Sequence, residues 1–408
     1  MTNSATSAPP PAPIPAPTGP LAGMRILDLT TVLLGPYATK ILGDLGADII
    51  KIETVEGEGR RDSGPMVNKS MGQTFMVLNR AKRAIAINLK DPAGREAFLR
   101  LAATADAMVH NARVQAMKRL RLDYEHVRKV KPDIAYCYAV GFGSKGRYAG
   151  RPAYDDIIQG LSSLPSLLNT TTGKTTFVPI NFADRVTGIH LANATLAALL
   201  HRARTGEGQE VEVPMFETMA EMVLSEHLWS DYFVPPRKVK NRNRMFDRRP
   251  YKTKDGYICV MASGEKMFSA FCDIIDRPEL KTDPRFAHRS QRTNHLPEVY
   301  EITEAALATR TSAEWVEVLN IAGIPCGPIY DVQQVFEDEQ VQHLGLTATV
   351  THPALGELRI QRHPVTLSRT PASVRSAAPD LGVHNDEVLG ELGYSAAEIE
   401  RLRADAVI

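Results

Sequence analysis

Met24-Arg25-Ile26-Leu27-Asp28-Leu29 is a short apolar run. Gly35-Pro36 then opens an amphipathic stretch carrying Leu42 and Leu45 to Gly46, and Asp48-Ile49-Ile50-Lys51-Ile52-Glu53 is a second apolar run. Proline suits a first helical turn and glycine a helix stop, so the stretch reads as strand, helix, strand. Such a unit implies parallel strands joined by a right-handed crossover. The alternation continues: a strand over Ala84–Lys90, a helix from Pro92 through Phe98, Leu99 and Leu101, a strand over Ala107–Asn111, a basic helix over Arg113–Arg121, and a strand over Ile134–Val140. This predicts an α/β fold with a doubly wound, Rossmann-like large domain whose ligands bind beyond the strand C-termini. Lys90, Asn111, Arg113 and Arg119 fall at or just after such ends, where they suit an anion; surface solvation explains each of them about as well. Glu53 has the placement of a ribose acid, but the first turn, Thr30 to Pro36, lacks G-x-G-x-x-G. That speaks against a nicotinamide or flavin site.

At 408 residues the chain exceeds one ordinary core, and two domains are expected. Residues 1–20, rich in Pro, Ala, Ser and Thr, read as a disordered tail without the basic start and apolar core of a signal peptide. Residues 21–225 form the large domain and 226–249 a basic linker, because apolar periodicity lapses there while Pro and like charge accumulate. A smaller α+β domain follows over 250–335. It opens with a hairpin around Asp255-Gly256, carries helices over Glu265–Ile275, Leu296–Ala308 and Ser312–Ala322, and includes an extended loop, Ile324–Ile329. Residues 345–408 regain strands at Thr347–Thr351 and Gly356–Gln361 and end in a helix after Ser395.

Basic and acidic side chains nearly cancel, 48 against 47, which argues against nucleic acid. No apolar run is long enough for a bilayer crossing. The four cysteines, Cys137, Cys259, Cys272 and Cys326, are scattered, which points to free thiols in a reducing, cytoplasmic compartment and to no metal site.

One further stretch draws attention: Val178-Pro179-Ile180-Asn181-Phe182-Ala183-Asp184-Arg185-Val186-Thr187-Gly188. A strand-like run stops at an acid, and helical spacing (Val186, Ile189, Ala192, Leu196, Leu199, Leu200) runs on to Gly206. Asp184 is thereby expected at a helix N-terminus, ionised near neutral pH by the helix dipole. On this local pattern alone an N-cap is the simpler reading.

Leu21–Leu29, Gly35-Pro36-Tyr37-Ala38 and Leu45–Glu53 resemble the opening of the family III CoA-transferases, the CaiB/BaiF group that includes L-carnitine dehydratase and bile-acid-inducible protein F. Asn79–Arg83, Arg151–Asp155, Ala183-Asp184, Arg204–Gln209 and Ala322–Pro328 continue the resemblance in order. It implies a large α/β domain completed by the C-terminal part, a small domain, and an intertwined homodimer of interlocked chains. It also implies that Asp184 is the nucleophile that accepts an acyl group from acyl-CoA, passes through an aspartyl anhydride and an aspartyl-CoA thioester, and hands CoA to a small carboxylic acid without a metal. By the same resemblance Val32, Leu33 and Leu34 lie along coenzyme A, Leu89, Lys90, Asn111, Arg113 and Arg119 line its nucleotide part, and Tyr154 and Asp155 sit near the pantetheine end. The chain departs from the family at Ala112-Arg113-Val114-Gln115, where an aromatic-Arg-Pro-Gly run is usual, and at Arg121, where glycine is usual.

Two other functions fit the same framework. An α-methylacyl-CoA racemase needs a histidine where Tyr154 stands, and a phenol is too weak a base to replace it. His190 is expected to be a packing or surface residue. A non-catalytic CoA-binding protein would use Asp184 only as a cap. Among acids, Arg185, Lys145 and Arg147 suit a dicarboxylate such as succinate, though surface charge explains them about as well. The resemblance makes oxalate less expected, because its oxalate-specific members carry a Gly-rich loop where Val234–Arg249 has no glycine, and carnitine, bile-acid and aromatic acids stay open.

Overall fold

The computed structural model describes residues 15–66, 69–238 and 249–408. Most of the expected tail, and residues 239–248 of the basic linker, lie outside the described residues. The chain divides into two compact units, one taking residues up to 164, 177–223 and 344–408, the other 165–176 and 224–343.

The first unit is built on six parallel strands, β1 (Arg25–Leu29), β2 (Asp48–Glu53), β3 (Lys82–Ala86), β4 (Ala107–His110), β5 (Ala135–Val140) and β6 (Gln209–Pro214). Their order is β3-β2-β1-β4-β5-β6, the doubly wound order of dinucleotide-binding folds, as the sequence predicts. Successive residues serve opposite faces. Ile26, Ile49, Val109 and Cys137 enter one apolar cluster, while Leu27, Ile50, Met108 and Tyr136 enter the other. Burial on both faces is why these strands read as unbroken apolar runs.

The helices preceding β6 are α1 (Leu34–Asp44), α2 (Gln73–Leu78), α3 (Pro92–Ala102), α4 (Val114–Leu120), α5 (Tyr124–Val127), α6 (Asp155–Leu161), α7 (Leu164–Thr172) and α8 (Phe182–Thr205). Leu34 and Leu42 of α1 and Leu191 and Leu199 of α8 fill the first cluster. Phe98 and Leu101 of α3 fill the second, with Leu389 and Leu402 supplied by the C-terminal residues. The strands expected near Thr347 and Gly356 pair as a hairpin, Thr347–His352 against Gly356–Gln361, within the same unit.

The second unit holds a three-stranded antiparallel sheet, β7 (Tyr251–Lys252), β8 (Tyr257–Val260) and β9 (Cys326–Pro328). Trp315, Phe271 and Ile258 centre its core. The run expected as an extended loop supplies β9, which pairs Val260 with Cys326.

Three further differences have physical reasons. Strand β3 starts two residues before the expected Ala84 because Lys82 and Arg83, charged in sequence, are buried on partners: Lys82 on Asp28, Arg83 on Asp48. Strand β6, Gln-Glu-Val-Glu-Val-Pro, was not expected; it is an edge strand paired only with β5, so its pattern is too polar to stand out. Helix α4 ends at Arg121 in the left-handed conformation, φ 58°, the conformation a glycine would take there. Arg121→Gly is therefore expected to stabilise the protein by about 0.5–1 kcal/mol, the left-handed penalty less the extra freedom of unfolded glycine. A rise in urea midpoint at constant slope checks it.

Candidate active site

The strand order reverses between β1 and β4, and the crevice beyond their C-terminal ends is where such sheets hold ligands. The turn leaving β1 is moulded there by side chains from other elements. The Thr30 N–H donates to Asp28 Oδ1 at 2.9 Å and the Thr30 carbonyl accepts from Lys51 Nζ at 2.9 Å. The Thr31 N–H donates to Asn111 Oδ1 at 2.8 Å, and Asn111 Nδ2 donates back to the Thr31 carbonyl at 2.9 Å. The Val32 N–H donates to Glu58 Oε2 at 2.9 Å. Val32 itself has φ 71°, a left-handed conformation that costs a β-branched residue about 1–3 kcal/mol. Leu33 and Leu34 are buried beneath it. The turn folds back so tightly that a Cβ on Gly35 would lie 2.4 Å from Thr30 Cβ.

Asn111 therefore ties the end of β4 to the turn after β1, and Arg113, exposed, precedes the first turn of α4. Leu89, half-buried, packs at the margin of the second apolar cluster, and Lys90 is exposed beside it. Arg119 is exposed in the last turn of α4 rather than at a strand end, six residues beyond Arg113 and so roughly 9 Å along the helix. Glu53, the residue placed like a ribose acid, is spent on a buried bidentate pair with Arg61, at 2.8 and 2.7 Å.

Helix α8 starts at Phe182, with Asn181 in the N-cap position, so Asp184 is the third helical residue and not a cap. The residues before it form no strand. Their path is fixed by Gln159, fully buried on α6. Its Oε1 accepts from the Val178 N–H at 3.0 Å, and its Nε2 donates to Asp155 Oδ2 at 2.6 Å and lies 3.3 Å from the Ile180 carbonyl. Asp155, 4% exposed, accepts the Asp184 N–H on Oδ1 at 2.9 Å. The Asp184 amide, near the free end of the helix, is thus already engaged.

Asp184 is half-buried, and burial first, then the charge of Asp155, pushes its pKa up to about 7 against the pull of Arg185 and Arg60. The expectation of a carboxylate held ionised by the helix dipole is corrected: a neighbouring acid and desolvation outweigh a helix end. Arg185 stacks on Tyr37 of α1 at 4.4 Å, and a Cβ on Gly188 would lie 2.8 Å from the Leu34 carbonyl oxygen. The first turns of α8 are thereby packed on the start of α1, next to Val32 in the chain. Tyr154, 73% exposed, turns outward while Asp155 turns inward, and His190 is exposed on α8.

Sequence reasoning did not single out Glu58, Lys51, Gln159 or Arg60 for the site. Gln159 gave a weak signal, a polar residue beside Ile157, Ile158 and Leu161, but its partner Val178 is 19 residues away; Glu58, in a charged, glycine-rich run and 26 residues from Val32, gave none. Among the described residues no group of three His, Cys, Asp or Glu side chains could hold a metal ion, and no helix is long and apolar enough to cross a membrane.

Comparison with known proteins gives the family. The family model for CoA-transferase family III matches residues 21–385. The chain is 33% identical to the succinyl-CoA:glutarate CoA-transferase of Mus musculus over 95% of its own length and 90% of the relative's. It is 35% identical to the acetyl-CoA:oxalate CoA-transferase of Acetobacter aceti, covering 78% of this chain and 82% of that one. Among solved structures, a CaiB/BaiF family protein from Brucella suis superposes with a TM-score of 0.78 at 29% identity, over 92% of this chain and 99% of that one. With the doubly wound sheet and matches that run almost end to end, the chain belongs to CoA-transferase family III, the CaiB/BaiF group.

Proposed function

We propose that this protein moves coenzyme A from an acyl-CoA to a free carboxylic acid, with Asp184 as the nucleophile. The observation that carries the reading is the Asp184 carboxylate, half-buried in the first turn of a helix packed on the α1 start, with its own amide clamped by Asp155. An Asp184 oxygen attacks the thioester carbonyl and CoA thiolate leaves, giving a mixed anhydride. The thiolate then attacks the aspartyl carbonyl and releases the donor acid, leaving an aspartyl-CoA thioester. An acceptor carboxylate attacks that thioester, CoA thiolate leaves again, and its attack on the acceptor's acyl carbon restores Asp184. This is nucleophilic catalysis in which CoA is both leaving group and carrier.

In this reading CoA lies along Val32, Leu33 and Leu34, with Leu89, Lys90, Asn111, Arg113 and Arg119 toward its nucleotide. The three cations suit its phosphates, arginine bidentately. Tyr154 borders the pantetheine end, and Asp155 acts from behind Asp184. A homodimer is part of the reading, supported by the exposed apolar side chains of Tyr154 just before α6, Ile157 and Leu161 on α6 and Ile189 on α8. A succinyl donor is favoured by Arg185 beside Asp184 and by the succinyl-CoA:glutarate relative. The acetyl-CoA:oxalate relative keeps oxalate among the acceptors to be tried, despite the glycine-free basic segment.

Incubation with succinyl-CoA and a panel of acids, followed by mass spectrometry of the protein, tests the mechanism. The expected result is a CoA thioester on Asp184, trapped by hydroxylamine, and new acyl-CoA for at least one acid. Solvent deuterium entering the α-carbon of a branched acyl-CoA, with no exchange of acids, would instead establish the racemase.

A further inference from the structure

We infer that Glu58, backed by Lys51, is a positioning residue that holds Val32 in its left-handed conformation and so sets the β1–α1 turn for CoA before CoA arrives. The inference rests on the reading that this turn lies along CoA. Its own basis is the contrast between a strained backbone and the investment made to keep it. Five consecutive backbone groups, from the Thr30 N–H to the Val32 N–H, are each held by a side chain, and those side chains come from β1, β2, the loop after β2 and the residue after β4. The last of the five lies on the strained residue and belongs to Glu58.

Glu58 is buried, and its second oxygen lies 3.2 Å from Lys51 Nζ. Burial works against the charge of Lys51, but Asp28, Glu58 and Glu53 outweigh it and raise its pKa. Lys51 therefore stays cationic, gripping the Thr30 carbonyl and Glu58 together. Glu58 is fixed in turn from its own backbone, since its N–H donates to Glu53 Oε1 at 3.1 Å, and Glu53 is clamped by Arg61. A fold needing only a connection between β1 and α1 would relax by placing glycine or asparagine at 32. Retaining valine in this conformation means that the turn's shape, and not its ease of formation, is what the buried charges maintain.

Strain held for binding has a signature that a structural role lacks: relieving it leaves the protein as stable or more so, yet weakens the ligand. A turn that adopts the competent shape only a tenth of the time weakens apparent affinity roughly tenfold. Calorimetric titration of the full chain with CoA, alongside urea unfolding, reads both quantities in Val32→Gly, Glu58→Gln and Arg113→Ala. The expected result for Val32→Gly is a Kd about tenfold weaker with a urea midpoint equal to or above that of the parent. Glu58→Gln should weaken CoA comparably with Val32 still in place, raising KM for acyl-CoA rather than lowering kcat. If Glu58→Gln does not fold, Val32→Gly decides alone. An unchanged Kd in Val32→Gly, or a weaker Kd accompanied by a lower midpoint, overturns the inference. Arg113→Ala separates the two levels: if it weakens CoA while Val32→Gly and Glu58→Gln do not, only the positioning role falls. If none of the three weakens CoA, the placement of CoA along this crevice falls with it.

Discussion

Asp184→Asn is expected to abolish CoA transfer and, at pH 8, to make the protein more stable. Removing a covalent nucleophile costs turnover by at least roughly 10⁴-fold, because in this reading the anhydride forms on the Asp184 carboxylate. The stability gain follows from the sign of the pKa shift. An aspartate with an ordinary pKa near about 3.9 in the unfolded chain is pushed up to about 7 in the fold by burial and by Asp155. The folded state therefore binds that proton more tightly, and ionising Asp184 costs stability progressively as pH rises from about 4 to 7. Three pKa units correspond to about 4 kcal/mol; with Asp184 only half-buried, solvent screening reduces this to about 1–2 kcal/mol. Asparagine carries no such cost and, since Asp184 is not an N-cap, forfeits no capping bond. Urea midpoints of both proteins at pH 5 and pH 8 check it: the variant should gain over the parent at pH 8 and lose most of that gain at pH 5. A variant less stable at both pH values would mean that Asp184 is a structural acid, and retained turnover would remove it from the mechanism.

The parts of the fold that were legible in the sequence are those whose physics is local. β1, α1 and β2 come from apolar runs bounded by Gly35-Pro36 and Gly46, and each strand buried on both faces declares itself as Leu27 and Ile26 do. What escaped is where charge or polarity is buried by distant partners. Lys82 reads as a surface residue until Asp28, 54 positions earlier, is brought beside it. Gln159 and Asp155 sit in a stretch that did not read as a helix, and their role exists only because the chain returns at Val178 and Asp184. Asp184 shows both sides of this: its position near a helix start was legible, but its protonation was not, because the acid that raises its pKa lies 29 residues away. The dipole argument was sound for an exposed carboxylate and failed for one facing another acid in a desolvated niche.

Asp155→Asn isolates that neighbour. With the negative charge gone and burial left in place, the pKa of Asp184 should fall below 7 while staying above the ordinary carboxylate range. Since the nucleophile must be ionised, kcat/KM of the parent should rise with pH through about 7, and this acid limb should move to lower pH in the variant. The same substitution also disturbs geometry. Asp155 Oδ1 can be replaced by the amide oxygen facing the Asp184 N–H, but the amide nitrogen then meets Gln159 Nε2, a donor 2.6 Å from the former oxygen. Gln159 must turn, and its bond from the Val178 N–H is lost or bent, at a cost of about 1–3 kcal/mol for the unsatisfied buried groups. The plateau rate should consequently fall by roughly 10–100-fold, the scale on which a misplacement of about 1 Å acts. Gln159→Leu separates the two effects. It removes the clamp and keeps the charge, so it should lower the plateau comparably while leaving the acid limb at about 7. An acid limb that stays in place in Asp155→Asn would show that burial alone governs Asp184, and that Asp155 serves only as the acceptor for its amide.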